Sequence, residues 1–126
     1  MDYFIIAGQA NPSMGLFKGN ADGTYTDVTA ESEDLYAKSQ ASAVFIDIDN
    51  DGNLDLITVG KSGSDAFTDI FMNSGAPDYK FVADWDMIEA FPGLSSESND
   101  NGSKLLVAFD YNNDGWTDLL INGSAG

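Results

Sequence analysis

Nine residues, Asp47-Ile48-Asp49-Asn50-Asp51-Gly52-Asn53-Leu54-Asp55, place carboxylates at positions one, three, five and nine of a short stretch and a glycine at position six. Alternate residues of such a loop point inward and the glycine permits a sharp turn, so the oxygens converge. Convergent oxygens are the chemistry of a hard cation. Ca²⁺ takes about six to eight of them, at roughly 2.3–2.6 Å, from carboxylates, backbone carbonyls and water. The spacing predicts the side chains of Asp47, Asp49, Asp51 and Asp55 as ligands, with the carbonyl of Asn53 at position seven. The same pattern returns at Asp110-Tyr111-Asn112-Asn113-Asp114-Gly115-Trp116-Thr117-Asp118. There Asp110, Asp114 and Asp118 supply carboxylates, Asn112 a neutral side-chain oxygen and Trp116 its backbone carbonyl. Two Ca²⁺ per chain are expected, the first held more tightly because its loop carries one more carboxylate.

Other readings of these residues are weaker. Asp, Asn and Gly also build ordinary tight turns by capping backbone amides, but clustered carboxylates with no Lys or Arg among them repel one another unless a cation joins them. Mg²⁺ demands a small, regular octahedron and keeps its water. The absence of Cys and His argues against zinc and the later transition metals. An EF-hand needs a bidentate Glu at position twelve and a helix on each side, whereas position twelve is Thr58 in one copy and Ile121 in the other.

The elements that must hold these loops have the period of strands. Residues 43–46 and 54–60 flank the first loop, and residues 105–109 and 118–121 the second, all short runs of β-branched, aromatic and aliphatic residues bounded by turn formers. Each loop therefore joins two strands. An apolar strand, then Asp-x-Asp-x-Asp-Gly-x-x-Asp, then Leu and a second apolar strand is read from Val44 through Ile57. The copy from Phe109 through Leu120 repeats it with Asn112 at the third position. On these residues the chain resembles the FG-GAP and related VCBS-type repeats of β-propellers, including the calcium-binding blades of integrin α-subunits. The resemblance implies that each strand pair beside a loop is the inner half of a four-stranded antiparallel blade, completed by a segment like Leu16-Phe17-Lys18-Gly19-Asn20-Ala21-Asp22-Gly23-Thr24-Tyr25-Thr26-Asp27-Val28-Thr29. It names no reaction and no ligand.

Taken in order, residues 3–7 and 14–18 read as strands, Asn20-Ala21-Asp22-Gly23 as a hairpin turn and residues 24–29 as the partner strand. Residues 30–42 cross to the first loop pair. Residues 67–73 and 79–84 then form an outer pair in which Leu16-Phe17 aligns with Ile70-Phe71 and Tyr25 with Phe81, an internal repeat. A longer crossing over 85–103 holds Trp85, Phe91 and Leu94, read chiefly as packing between sheets and secondarily as a recognition surface. The second loop pair follows, and its last strand has no outer half. The expected fold is all-β: residues 1–40 form the outer strands of a first blade and a crossing, 41–84 a complete blade, and 85–126 a crossing and the inner pair of the next.

About two blade equivalents cannot close a ring, since propellers use about four to eight. The alternatives are oligomerisation, an open stack, or parts of a longer chain. The loops lie 63 residues apart and the chain is 126 long, so copies can join at a repeat boundary. A cyclic trimer or tetramer is the expected self-associated form. The strand at 118–123 resembles that at 2–8, so one can join or displace the other at a junction between copies.

A formal charge of −16, from 21 acidic and 5 basic residues, speaks against nucleic acid and anionic membranes as partners. No apolar run is long enough for membrane insertion as a helix. Met1-Asp2 leads straight into a strand with no basic n-region. A secreted or cell-surface parent, with its signal segment outside this sequence, is expected. The leading functional reading is a calcium-stabilised, noncatalytic scaffold, adhesion or recognition module, with protein and glycan ligands both compatible. A part of a carbohydrate-processing enzyme or system and a self-assembling structural unit without a small ligand stand as alternatives.

Overall fold

In a computed structural model the described residues are 3–7, 14–32, 35, 39–62, 65–90, 94–95, 105–122 and 124–125. The centre of the chain is a four-stranded antiparallel sheet, β4 (Ser39–Ile46), β5 (Asp55–Ser62), β6 (Asp65–Asn73) and β7 (Phe81–Ala83), in sequential order. Before it stand β1 (Tyr3–Ala7), β2 (Met14–Gly19) and β3 (Tyr25–Asp27), a three-stranded antiparallel meander. After it come a short helix α1 (Trp85–Ala90), β8 (Leu94–Ser95), β9 (Leu105–Phe109), β10 (Asp118–Asn122) and β11 (Ser124–Ala125). β9 pairs with β10 and β8 with β11, both antiparallel. The fold is all-β, and among the described residues the strands form separate antiparallel sheets and no closed barrel.

Alternation along β5 explains the stacking. Successive side chains of a strand point to opposite faces, and here both faces are covered. Leu56, opposite Phe71 in register, faces a cluster with Leu16, Val28 and Phe81 contributed partly by the first sheet. Ile57, opposite Ile70, faces a second cluster with Ile46, Val59 and Leu106, the last from β9. Residues 55–60 are consequently buried without interruption, including the polar Asp55 and Thr58. Removing one methyl from this second cluster by Ile57→Val is expected to cost about 0.5–1.5 kcal/mol, read from the urea midpoint at unchanged slope.

The internal repeat is visible in the pairing. Gly19 lies opposite Tyr25 and Phe17 opposite Asp27, while Asn73 lies opposite Phe81 and Phe71 opposite Ala83. This is the alignment of Leu16-Phe17 with Ile70-Phe71 that the sequence predicts. The Val28 amide donates to the Leu16 carbonyl, and the Asp84 amide donates to the Ile70 carbonyl, each at 2.9 Å. The hairpin turn at Asp22-Gly23 is held by the Asp22 carboxylate, which accepts from the Thr24 amide at 2.9 Å and from its hydroxyl at 2.6 Å. Those bonds, the hydroxyl first, hold the Asp22 carboxyl below its ordinary range.

Three features depart from the sequence reading. The strand expected over 24–29 ends at Asp27, because the Asp27 carboxylate accepts from the amide and hydroxyl of Thr29 and starts a 3₁₀ turn over Thr29–Glu31. The long crossing contains a helix: Asp84 caps it by accepting from the Met87 amide at 2.9 Å, and Met87 and Ile88 pack on the second cluster. Trp85 is thereby turned outward and is exposed rather than packed between sheets. Phe91 lies outside the described residues. The chain also adds a pair that the sequence does not predict: β11 lies against β8, with Ser124 opposite Ser95 and Ala125 opposite Leu94, while among the described residues β10 pairs with β9 alone, as expected of an inner pair without its outer half.

Candidate metal centre

Each candidate loop is a strand–turn–strand connection whose backbone amides are aimed at its own carboxylates. In the first, Asp47 accepts from the Asp51 amide at 3.1 Å and from the Gly52 amide at 3.0 Å, one bond to each oxygen. Asp49 also accepts from the Asp51 amide, at 3.2 Å, and Asp55 Oδ2 accepts from the Ile48 amide at 2.9 Å. The turn requires Asn50 at φ 60° and Gly52 at φ 89°. These are left-handed conformations that Asn tolerates and Gly adopts without a Cβ penalty.

The second loop reproduces this arrangement. Asp110 accepts from the Asp114 and Gly115 amides at 3.1 and 2.9 Å, Asn112 Oδ1 from the Asp114 amide at 3.1 Å, and Asp118 Oδ2 from the Tyr111 amide at 2.8 Å. Asn113 and Gly115 stand at φ 63° and 90°. The two sequences share Asp, Asn, Asp, Gly and Asp at positions one, four, five, six and nine and differ at Ile48/Tyr111, Asp49/Asn112, Asn53/Trp116 and Leu54/Thr117; they fold alike because the shared residues set the backbone.

Oxygens from Asp47, Asp49 and Asp55 all lie within 4.8 Å of one another. Two ligands of one calcium, each at roughly 2.3–2.6 Å, can be no more than about 5 Å apart, so this donor set fits the ion. Asp51 is held differently: its two oxygens accept from the amide and the side-chain nitrogen of Asn53, at 2.7 and 2.8 Å. Those bonds hold its carboxyl below the ordinary range. Asp114 is held down likewise, by the Trp116 amide first and the Asn112 side chain next.

Asp55 is the anchor of the first site. It is buried, and burial pushes its carboxyl above the ordinary range against the opposing pull of the Asn73 and Ile48 amides. The charges of Asp49 and Asp51 push it further in the same direction. The Asn73 amide reaches Asp55 Oδ1 at 2.8 Å from the end of β6, while its side chain donates to the Leu54 carbonyl at 3.0 Å and accepts from the Gly75 amide at 3.0 Å. Asn73 ties the loop to the outer half of its sheet, a role with no mark in the loop motif. A Cβ at Gly75 would come within 3.0 Å of the Asn53 side chain, so the two loops are closely apposed.

The second loop, by contrast, is exposed along most of its length, and Trp116 and Tyr111 stand in solvent. With Asn112 in place of Asp49 it has fewer carboxylates to gather, and Asn112 donates to Asp114 Oδ2 at 2.8 Å. That substitution, already made within this chain, defines a test. In excess chelator Asp49→Asn is expected to raise the melting temperature by about 1–3 °C, because it removes a like charge and keeps the acceptor for the Asp51 amide. With calcium present the same change lowers it, and paired thermal melts read the reversal of sign.

The profile of the FG-GAP-like repeat matches residues 47–121, more than half of the chain and inclusive of both loops. No curated protein and no solved structure gives a significant match.

Proposed function

The chain belongs to the FG-GAP-like repeat family, and on that premise we propose that it is a calcium-stabilised, noncatalytic propeller module of an extracellular scaffold or recognition protein. The observation that carries this reading is the convergence of Asp47, Asp49 and Asp55 oxygens at the foot of two strands. Asp47, Asp49, Asp51 and Asp55, with the Asn53 carbonyl, would hold one Ca²⁺. Asp110, Asn112, Asp114 and Asp118, with the Trp116 carbonyl, would hold a second. The ion supplies positive charge among carboxylates that otherwise repel, and so couples the two strands that each loop joins.

A structural role suits how these side chains are spent. Asp47 and Asp55 each give both oxygens to backbone amides, which fixes the turn rather than leaving a free acid–base pair facing a cleft. Among the described residues no helix is long and apolar enough to cross a membrane. An extracellular setting suits exposed, partly neutral ligand sets, because calcium modules there work with dissociation constants of about 10⁻⁴–10⁻³ M.

Calorimetric titration of chelated protein with calcium tests the proposal. Two sites are expected, the tighter one lost in Asp47→Ala and Asp49→Ala and the weaker in Asp110→Ala. No calcium-dependent heat, or one unaffected by all three substitutions, would overturn it.

A further inference from the structure

The first loop has one fixed end. Residues 49–52 are exposed, whereas Asp55 is buried and takes bonds from outside the turn as well as from within it. The outside bonds come from Asn73, the last residue of β6, 7% exposed and 18 positions further along the chain. Its amide reaches Asp55 Oδ1 and its side chain donates to the carbonyl of Leu54. One buried residue thus fixes both a proposed ligand and the peptide bond that leads into it. Residues that orient a ligand without touching the ion set metal affinity, and their loss costs about 10–100-fold in binding.

Asn73 faces two ways. Its Oδ1 accepts from the Gly75 amide at 3.0 Å, which roots the β6–β7 hairpin on the same residue that steadies Asp55. Gly75 stands at φ 67° and so close to the loop that a Cβ there would meet the Asn53 side-chain nitrogen at 3.0 Å. That nitrogen is the donor to Asp51 Oδ2. The Gly75 carbonyl in turn accepts from the Tyr79 amide at 2.8 Å, and the Tyr79 ring lies 5.5 Å from Lys18 Nζ on β2. The root of this hairpin is therefore shared with the loop. The turn at residues 20–24 is closed by its own groups instead: the Asn20 amide donates to the Thr24 carbonyl, the Gly23 amide to the Asn20 carbonyl, and Asp22 accepts twice from Thr24.

We infer that Asn73 is a positioning residue of the first metal centre, and that through it calcium affinity is coupled to the order of the hairpin at residues 74–80. This coupling rests on the calcium reading of the loop. Without the Asn73 side chain the Leu54 carbonyl and the Gly75 amide lose their partners, the peptide leading into Asp55 is free to turn, and the ligands must be gathered against that freedom. Binding couplings are reciprocal, so a hairpin that supports the ion is held closed by it to the same degree. Ser74, Ala76, Pro77 and Asp78 are exposed, and the segment whose order follows calcium is one that stands in solvent.

Calorimetric titration of Asn73→Ala with calcium in two backgrounds tests the role. In Asp110→Ala, which keeps only the first site, the added change is expected to raise the dissociation constant about tenfold. In Asp47→Ala, which keeps only the second, it is expected to leave the constant unchanged. Ile57→Val, which weakens the core without touching Asn73, is expected to alter neither. Hydrogen exchange on the unaltered chain reads the coupling from the other side: saturating calcium is expected to slow the Tyr79 amide by about the same factor, and to leave the amides of Gly23 and Thr24 unchanged. That measurement needs no variant and decides alone if Asn73→Ala fails to melt cooperatively. Calcium heat in both backgrounds with a first-site constant unmoved by Asn73→Ala, or Tyr79 exchange that calcium does not slow, overturns the coupling and leaves the calcium reading standing. No calcium heat in the unaltered chain overturns both.

Discussion

In excess chelator the melting temperature is expected to fall by about 15–25 °C relative to calcium saturating both sites. Each site held at calcium a hundredfold above its dissociation constant adds about 2.7 kcal/mol by mass action, and each kcal/mol moves the midpoint of a domain this size by about 3–5 °C. Scanning calorimetry in the two buffers measures it directly, and equal midpoints would exclude a stabilising ion. The two conditions also respond oppositely to acid. The Asp55 carboxyl is raised above 3.8 by burial first and by Asp49 and Asp51 after it, so without metal the folded state binds its proton more readily than the unfolded state. Its contribution to stability is present in full below 3.8 and is lost as pH rises through the raised value. Chelated protein therefore gains from acidification in the window above 3.8, while Asp51 and Asp114, whose values are lowered, lose their contributions only below it. Calcium-loaded protein loses stability over the same window, since protons displace the ion.

Asp55→Ala and Asp118→Ala remove the same position from the two loops and are expected to differ sharply in chelator. Asp55 is buried and accepts from two amides, those of Ile48 and Asn73. Losing it strands both donors, at about 1–3 kcal/mol each, so the variant loses about 2–6 kcal/mol even with no metal present. Asp118 accepts from the amide of Tyr111, which stands in an exposed loop where water can replace the carboxylate. Its loss costs under about 1 kcal/mol in chelator and shows its full effect only in calcium. Urea unfolding of both variants in both buffers gives the four values. A cost for Asp55→Ala that vanishes in chelator would show that its amide bonds contribute nothing on their own.

What could be read from the sequence divides by range. The turns of the two loops were legible because their backbone geometry is local: the left-handed Asn and Gly positions and the amides that meet the carboxylates all fall within nine residues. The alignment of Leu16-Phe17 with Ile70-Phe71 was legible because strand alternation carries it. Asn73 was not, since its contact to Asp55 spans 18 residues and depends on how β6 is set against β5. The β8–β11 pair was not, because two residues on each side leave no alternation to detect. Trp85 was misread because its place was judged by residue type, whereas the cap at Asp84 fixes the phase of a short helix and turns Met87 and Ile88 inward instead.

The position of β5 between two hydrogen-bonded neighbours and under two packed faces has a consequence for how the chain comes apart. In a linear array each layer is stabilised by its nearest neighbours alone, so layers with one neighbour open first and the interior layer last. The amides of Ile57 and Val59 are then expected to exchange with solvent at the rate set by global unfolding, and those of β2 and β10 by smaller, separate openings. Protection against exchange would decline outward from the middle of the sequence in both directions, and any layer added at either end would slow exchange in the layer it covers before it altered the centre.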